Sequence, residues 1–108
     1  MMKLSIYIPS AVESSELWVN SVLRDLSRQV GGASMIRVEG CWLNAFEVLI
    51  AEPVAVVYTY VSSEQALAVS RYLEVTAKKI AVALHQEAVL VVGEPVSAFK
   101  LVTGDDND

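Results

Sequence analysis

The sequence has few of the residues that most catalytic and metal sites use. Its 108 residues include one histidine, His85, and one cysteine, Cys41. A single cysteine cannot form an internal disulfide and has no second thiol for a redox pair or a zinc site, so we interpret Cys41 as a small buried apolar residue. The five glycines are scattered and form neither a phosphate loop nor a dinucleotide-binding pattern. We therefore expect no metal ion and no cofactor.

Charge is also scarce, because charged residues make up 19% of the chain and hydrophobic residues 54%. The net charge of −5 opposes binding to nucleic acid, which depends on lysine and arginine. The longest apolar runs, such as residues 54–61, are far shorter than the roughly 20 residues of a membrane span. The N-terminus lacks the cationic start and apolar core of a secretory signal. These features predict a cytoplasmic protein with apolar surface left for another subunit.

Hydrophobic periodicity predicts the first half of the fold. Residues 3–8 alternate as a strand does, and the stripe from Val19 to Val30 indicates a helix capped by Ser14 or Ser15. Gly31-Gly32 ends that helix. Residues 35–42 form a second strand, in which Gly40 indicates a bulge or a close approach. Residues 43–52 show no clean period and are interpreted as a connecting loop, with or without a helical turn.

The second half repeats this arrangement. Residues 54–61 form the central strand, and Ser62 with Gln65 forms a capping box that begins a helix ending near Gln86. Its predicted inner stripe consists of Ala66, Ser70, Leu73, Ala77, Ile80 and Leu84. Residues 88–92 follow as a short strand, and residues 96–102 are a candidate fifth edge strand.

The element order predicts an α+β, ferredoxin-like βαββαβ fold with two helices on one face of an antiparallel sheet. Residues 1–102 form the single domain, and residues 103–108 form a disordered acidic tail. The face of the sheet without helices carries many apolar side chains. Such a patch predicts a homo-oligomer formed through the open sheet face.

Aromatic residues are the main candidates for ligand or partner binding. Tyr7, Arg37, Trp42, Tyr58 and Tyr60 are placed on the outer sheet face or at its rim, where aromatic anchors and an arginine suit a ligand or a protein partner. Core packing is the alternative role for most of them.

Ionisable groups give weaker signals. His85 is the one group whose ordinary pKa lies near neutrality, so it is the candidate general base, with a structural role at the helix end as the alternative. Glu39, Glu47 and Glu52 lie near one connection and are interpreted as solvated loop charges. The first loop, residues 10–15, lacks the arginine of an acylphosphatase, and the single cysteine excludes the two-thiol site of metal chaperones.

Three short motifs carry a resemblance to a known family. Residues 40–42 read Gly-Cys-Trp, residues 52–53 read Glu-Pro, and residues 86–90 read Gln-Glu-Ala-Val-Leu. They resemble a family of small uncharacterised bacterial proteins with a ferredoxin-like domain, which have Gly-x-Trp, Glu and Gln-Glu-Ser-Val at similar places. The resemblance covers residues 4–92, implies the fold and leaves the activity open. Dimeric α+β barrel enzymes and trimeric effector-binding proteins are more distantly similar in topology.

Two functional hypotheses follow. The first is a non-enzymatic module that self-associates and binds a small ligand or a protein partner. The alternative is a cofactor-independent enzyme of the dimeric α+β barrel type, in which an apolar pocket between sheet and helices holds the substrate. There, His85 or a carboxylate would transfer a proton.

Overall fold

The computed structural model describes residues 1–104 and contains four strands and two helices in that range. The strands form one antiparallel sheet in the order β2-β3-β1-β4. The predicted ferredoxin-like βαββαβ fold is confirmed. Of the predicted tail, residues 105–108 lie outside the described residues. The elements are β1 (Met2–Pro9), α1 (Ser15–Val30), β2 (Ser34–Leu43), β3 (Leu49–Val61), α2 (Ser63–Ala83) and β4 (Val91–Pro95).

The core lies between the sheet and the two helices. Alternate residues of β1 and β3 point toward the helices because side chains of a strand alternate between its faces. On α2 the buried stripe includes Val69 and Thr76, where the sequence pattern had favoured Ala66 and Ser70. The buried apolar set is Leu4, Ile6, Ile8, Val19, Val22, Leu26, Ala55, Val57, Val61, Val69, Leu73, Ala77, Ile80 and Leu84.

A polar contact joins the two helices. The Tyr72 hydroxyl donates a hydrogen bond of 2.7 Å to Asp25 Oδ2. Burial raises the pKa of Tyr72 above its ordinary value, and the hydrogen bond to Asp25 raises it further. The phenol therefore remains a donor well above neutral pH. At the end of α1, Gly31 adopts a left-handed φ of 94° and closes the helix, as predicted.

The predicted loop at residues 43–52 is wrong, because most of it belongs to a long β-hairpin. Strand β3 begins at Leu49 and pairs with Leu43, so the turn is confined to residues 44–48. Asn44 closes that turn, since its Oδ1 accepts hydrogen bonds from the N–H groups of Phe46 and Val48. The outer end of the hairpin extends beyond the helices. Neither face is buried there, which explains why the sequence shows no clean period.

Gly40 marks a close approach and not a bulge. It pairs with Glu52 in an uninterrupted ladder between β2 and β3. A Cβ atom at Gly40 would lie 3.4 Å from Val54 Cγ2 and 3.8 Å from the Glu52 carbonyl oxygen, in van der Waals contact with the neighbouring strand.

The C-terminal part also differs from prediction. Helix α2 ends at Ala83, and β4 spans Val91–Pro95 instead of residues 88–92. The shift arises because β4 takes its register from β1, where Ile6 pairs with Val91 and Met2 with Pro95. Residues 96–102 are not a fifth strand in the described chain. None of the helices within residues 1–104 has the length and apolar character needed to cross a membrane.

The buried stripe of α2 gives the first prediction. Leu73 is fully buried, whereas Leu67 on the same helix is 62% exposed. Leu73→Ala should lower the free energy of unfolding by about 2–5 kcal/mol, because it removes apolar contacts and leaves a cavity. Urea denaturation followed by circular dichroism measures the change. Leu67→Ala is the matched control and should change it by less than about 1 kcal/mol. Equal effects would contradict the packing described here.

Candidate functional site

A surface groove of about 380 Å³ lies between the β2–β3 hairpin and the segment that follows α2. We call it the Trp42 groove. Half of the Trp42 side chain is exposed. The groove is lined by Trp42 from β2, Glu52 from β3, and His85, Gln86, Glu87 and Ala88 from the connection to β4.

The end of α2 sets the position of one wall. The N–H of His85 donates to the carbonyl of Val82, and the N–H of Gln86 donates to the carbonyl of Ala81. This pair of bonds is a Schellman motif, which requires a left-handed residue after the helix. His85 occupies that position with a φ of 54°. Glycine is the usual residue at such a position, because a left-handed backbone is unfavourable for residues with a side chain. Here the position is occupied by His85.

The groove has an acidic and aromatic character. Glu52 is half-buried and Glu87 is exposed, and neither lysine nor arginine is among the lining residues. The Gln86 amide donates to the Leu84 carbonyl over 3.2 Å, which leaves its side-chain oxygen as an acceptor. Such a site offers hydrogen-bond acceptors, negative charge and one aromatic surface. A cation with a planar group matches it.

The three motifs behind the family resemblance meet in this groove. Trp42 comes from the Gly-x-Trp motif, Glu52 from the Glu-Pro motif, and Gln86 and Glu87 from the Gln-Glu motif. From charge alone, Glu52 was interpreted as a solvated loop residue. Glu87 and Gln86 were absent from the candidate binding residues, although the resemblance motif contained both. The motif was the available signal, because nothing in the local pattern distinguishes these residues from surface charges.

A second groove of similar volume adjoins the first along α2. It shares Glu87 and Ala88 with the Trp42 groove. The rest of its lining includes Ala77, Ala81 and Val89, whose small apolar side chains leave a shallow channel beside the helix. Glu74 and Lys78 also line this second groove, so it carries charge of both signs beside its apolar side chains.

The outer sheet face carries the tyrosines. Tyr58 and Tyr60 contact each other edge to face, with ring centroids 6.1 Å apart. Tyr7 is on the same face, since it pairs with Val56 in the ladder. Lys3 Nζ lies 4.5 Å from the Tyr58 ring centre, a cation–π contact that the sequence analysis did not identify. None of these residues lines the Trp42 groove.

Arg37 belongs to neither surface. It pairs with Ala55 on the helix side of the sheet, and its guanidinium forms a salt bridge with Glu16 of α1. The expectation that it would join the tyrosines is not met, because alternation along β2 sends its side chain to the other face.

A closed pocket of the dimeric-barrel type is not found within residues 1–104. The space between sheet and helices is filled by apolar side chains, and His85 is exposed. Within the same range, no cluster of three or more histidine, cysteine or acidic residues could hold a metal ion.

Comparison with solved structures supports the fold. A phage SAM lyase without ligand aligns with a TM-score of 0.60 and 16% identity, over 86% of this chain and 78% of that one. A phage SAM lyase in complex with S-methyl-5′-thioadenosine aligns with a TM-score of 0.57 and 14% identity, over 86% and 79%. CutA1 from Pyrococcus horikoshii has a TM-score of 0.52 and 16% identity, over 97% and 89%. At this identity the likeness concerns the fold. No family model and no curated protein matches the sequence.

Proposed function

We propose that the chain is a self-associating ferredoxin-like module that binds a small cationic ligand in the Trp42 groove. The observation that carries this proposal is the meeting of an exposed Trp42 with Glu52, His85 and Glu87 in one groove. These residues come from three separate parts of the sequence. Their convergence favours a binding site over incidental surface charge.

Charge favours a cation as the ligand. Two carboxylates line the groove, and the chain as a whole carries a net charge of −5. A cleft lined by one sign of charge raises the local concentration of ligands of the opposite sign. The exposed indole adds a surface on which a cation or a planar ring can stack.

S-adenosylmethionine combines both features, since it has a sulfonium cation and a purine ring. The fold likeness to a phage SAM lyase supports its use as the first ligand to test. S-methyl-5′-thioadenosine keeps the purine but lacks the positive charge. Comparing the two compounds therefore separates the contribution of charge from that of stacking.

Self-association is supported by the apolar outer sheet face. Ile36, Val38 and Tyr60 are exposed there, and Val54 and Tyr58 are half-buried beside them. A contiguous apolar sheet face without a helical cover is typical of an interface between subunits.

A second candidate function is cleavage of S-adenosylmethionine. The favouring observation is that an exposed carboxylate, Glu87, and His85 lie beside Trp42 in a fold shared with a SAM lyase. In such a cleavage the bond from sulfur to the amino-acid chain breaks, and sulfur keeps the electron pair as a neutral thioether. The substrate's own carboxylate closes the departing carbon chain as a lactone. The reaction requires neither a metal ion nor a cofactor. Glu87 would hold the substrate's ammonium group.

The binding proposal predicts that the wild-type protein binds S-adenosylmethionine more tightly than S-methyl-5′-thioadenosine in isothermal titration calorimetry. Trp42→Ala should weaken binding about tenfold, which corresponds to the roughly 1–2 kcal/mol of a desolvated cation–aromatic contact. Leu43→Ala is the control, because Leu43 is the exposed neighbour that does not line the groove. Absence of binding by the wild-type protein would overturn the ligand assignment.

The self-association proposal predicts a mass well above the 11.7 kDa of one chain in light scattering coupled to gel filtration. Tyr60→Glu should reduce that mass, since a carboxylate cannot be buried at low cost in an apolar interface. Within one chain the new carboxylate faces Lys3, which pairs with position 60, so the fold should be retained. Leu67→Glu on the exposed side of α2 is the control and should leave the mass unchanged.

The cleavage candidate predicts formation of S-methyl-5′-thioadenosine from S-adenosylmethionine, detected by mass spectrometry. Glu87→Gln should lower the rate by about 100-fold, in the range expected when a contact that positions the substrate is lost. His85→Gly tests the imidazole while relieving the left-handed backbone, so a loss of rate without a loss of stability would assign a functional role to His85. Binding without product would exclude cleavage and retain the binding module.

A further inference from the structure

The chain beyond β4 is an apolar segment that has no place in the sheet. The Val96 N–H donates to the Met1 carbonyl, and residues 97–104 then form neither strand nor helix. Phe99 is 65% exposed and Leu101 is 89% exposed. Side chains of this size are usually buried in soluble proteins, so the segment has the composition of a strand that lacks its partner.

The same chain has a long strand edge that is free. Strand β2 lies at the end of the sheet order and pairs only with β3, so one side of its ten residues is open within the described chain. An open edge presents a row of N–H and carbonyl groups to which another strand can bind.

The segment cannot cover this edge in its own chain. Strands β4 and β2 are at opposite edges of the sheet, three strand spacings or about 14 Å apart. Residues 96–102 span at most about 23 Å when extended. Strand β4 ends at the end of the sheet where β2 begins, so a segment that crossed the sheet within one chain would use about four residues to cross and would then run parallel to β2. An antiparallel strand on the β2 edge therefore requires another chain, and a second copy of this chain carries the same segment.

We infer that residues 97–103 of one copy add to the β2 edge of a second copy as an antiparallel strand, in the register that places Lys100 opposite Glu39. Phe99 is then opposite Gly40, Leu101 opposite Val38, and Ala98 opposite Cys41. The hydrogen bonds of this pairing use the edge of the sheet, whereas Phe99 and Leu101 extend the apolar outer face beside Val38.

Charge and shape select this register. Lys100 meets Glu39, an opposite-charge pair, and Phe99 covers the space that Gly40 leaves without a side chain. A shift of one residue would move Phe99 and Leu101 to the other face of the sheet. A shift of two residues in one direction would place Lys100 opposite Arg37, and in the other direction opposite Cys41. Either shift loses the pair with Glu39.

The added strand would extend the wall of the Trp42 groove. In this register Phe99 of the second copy is diagonal to Trp42, within the reach of aromatic side chains on adjacent strands. The second copy thus contributes an aromatic residue at the open side of the groove. A groove that is shallow in one chain becomes deeper in the pair.

Cys41 provides a direct test, because it is the single cysteine of the chain and is exposed, so the burial expected from the sequence is wrong. Ala98→Cys should form a disulfide with Cys41 of another copy under mild oxidation, since opposite residues in an antiparallel pair have Cα atoms about 4.5–5.5 Å apart. We expect a covalent dimer on a non-reducing gel, with the linked peptides identified by mass spectrometry. The yield should exceed that of oxidised wild-type protein several-fold and vanish when Cys41→Ser is combined with Ala98→Cys.

Lys100→Cys is the matched register control. It should cross-link less than Ala98→Cys, and a higher yield would overturn the register. A yield at position 98 no greater than the wild-type background would overturn the edge pairing itself. These readings hold whether or not the groove binds S-adenosylmethionine.

A charge exchange gives an independent measurement in the Ala98→Cys background. Lys100→Glu and Glu39→Lys should each reduce the cross-linking yield, because each places like charges opposite one another. Combining the two changes should restore the yield. If both single variants lower the cross-linking yield and the double variant does not restore it, the Lys100–Glu39 pair is overturned.

Discussion

Strand β3 is paired on both of its edges, and the positions of most other features depend on its register. Its residues 54–61 pair with β1, and its residues 49–58 pair with β2. This register sends Val57 toward the helices and Tyr58 and Tyr60 toward the outer face. A slip of one residue would exchange these two faces and expose the core. The apolar burial between sheet and helices therefore fixes which side chains remain available on the surface.

The extra length of β3 has a second effect, because it carries the hairpin beyond the part of the sheet that the helices cover. The hairpin brings Trp42 and Glu52 to the level at which α2 ends. There, the Schellman motif turns the chain at His85 and directs Gln86 and Glu87 back toward the hairpin. The groove thus results from two lengths, that of the hairpin and that of α2. A change in either would separate its walls.

Exposed apolar side chains are found in three regions of the molecule. The outer sheet face carries Tyr58 and Tyr60, the hairpin tip carries Phe46 with 86% of its side chain exposed, and the C-terminal segment carries Phe99 and Leu101. A chain of this size has one core and no further layer with which to cover these regions. The association between copies proposed above would bury apolar side chains in all three regions. The proposed association would also involve the groove, because Trp42 belongs to the strand whose edge is open.

The sequence by itself determined the element order and most of the core, although the buried stripe of α2 includes Val69 and Thr76 where the pattern favoured Ala66 and Ser70. Periodicity in β1, α1 and β3 reports burial directly, since one face of each element is apolar. It also identified the aromatic residues and His85 as the unusual surface groups. Where the chain is exposed on both sides, as along residues 43–52, periodicity carries no information, and the hairpin was missed. Only the tertiary structure decided that Trp42, Glu52 and Glu87 share a groove and that Arg37 is elsewhere. Their proximity depends on strand register and on where α2 stops, and both are set by contacts between residues distant in the sequence.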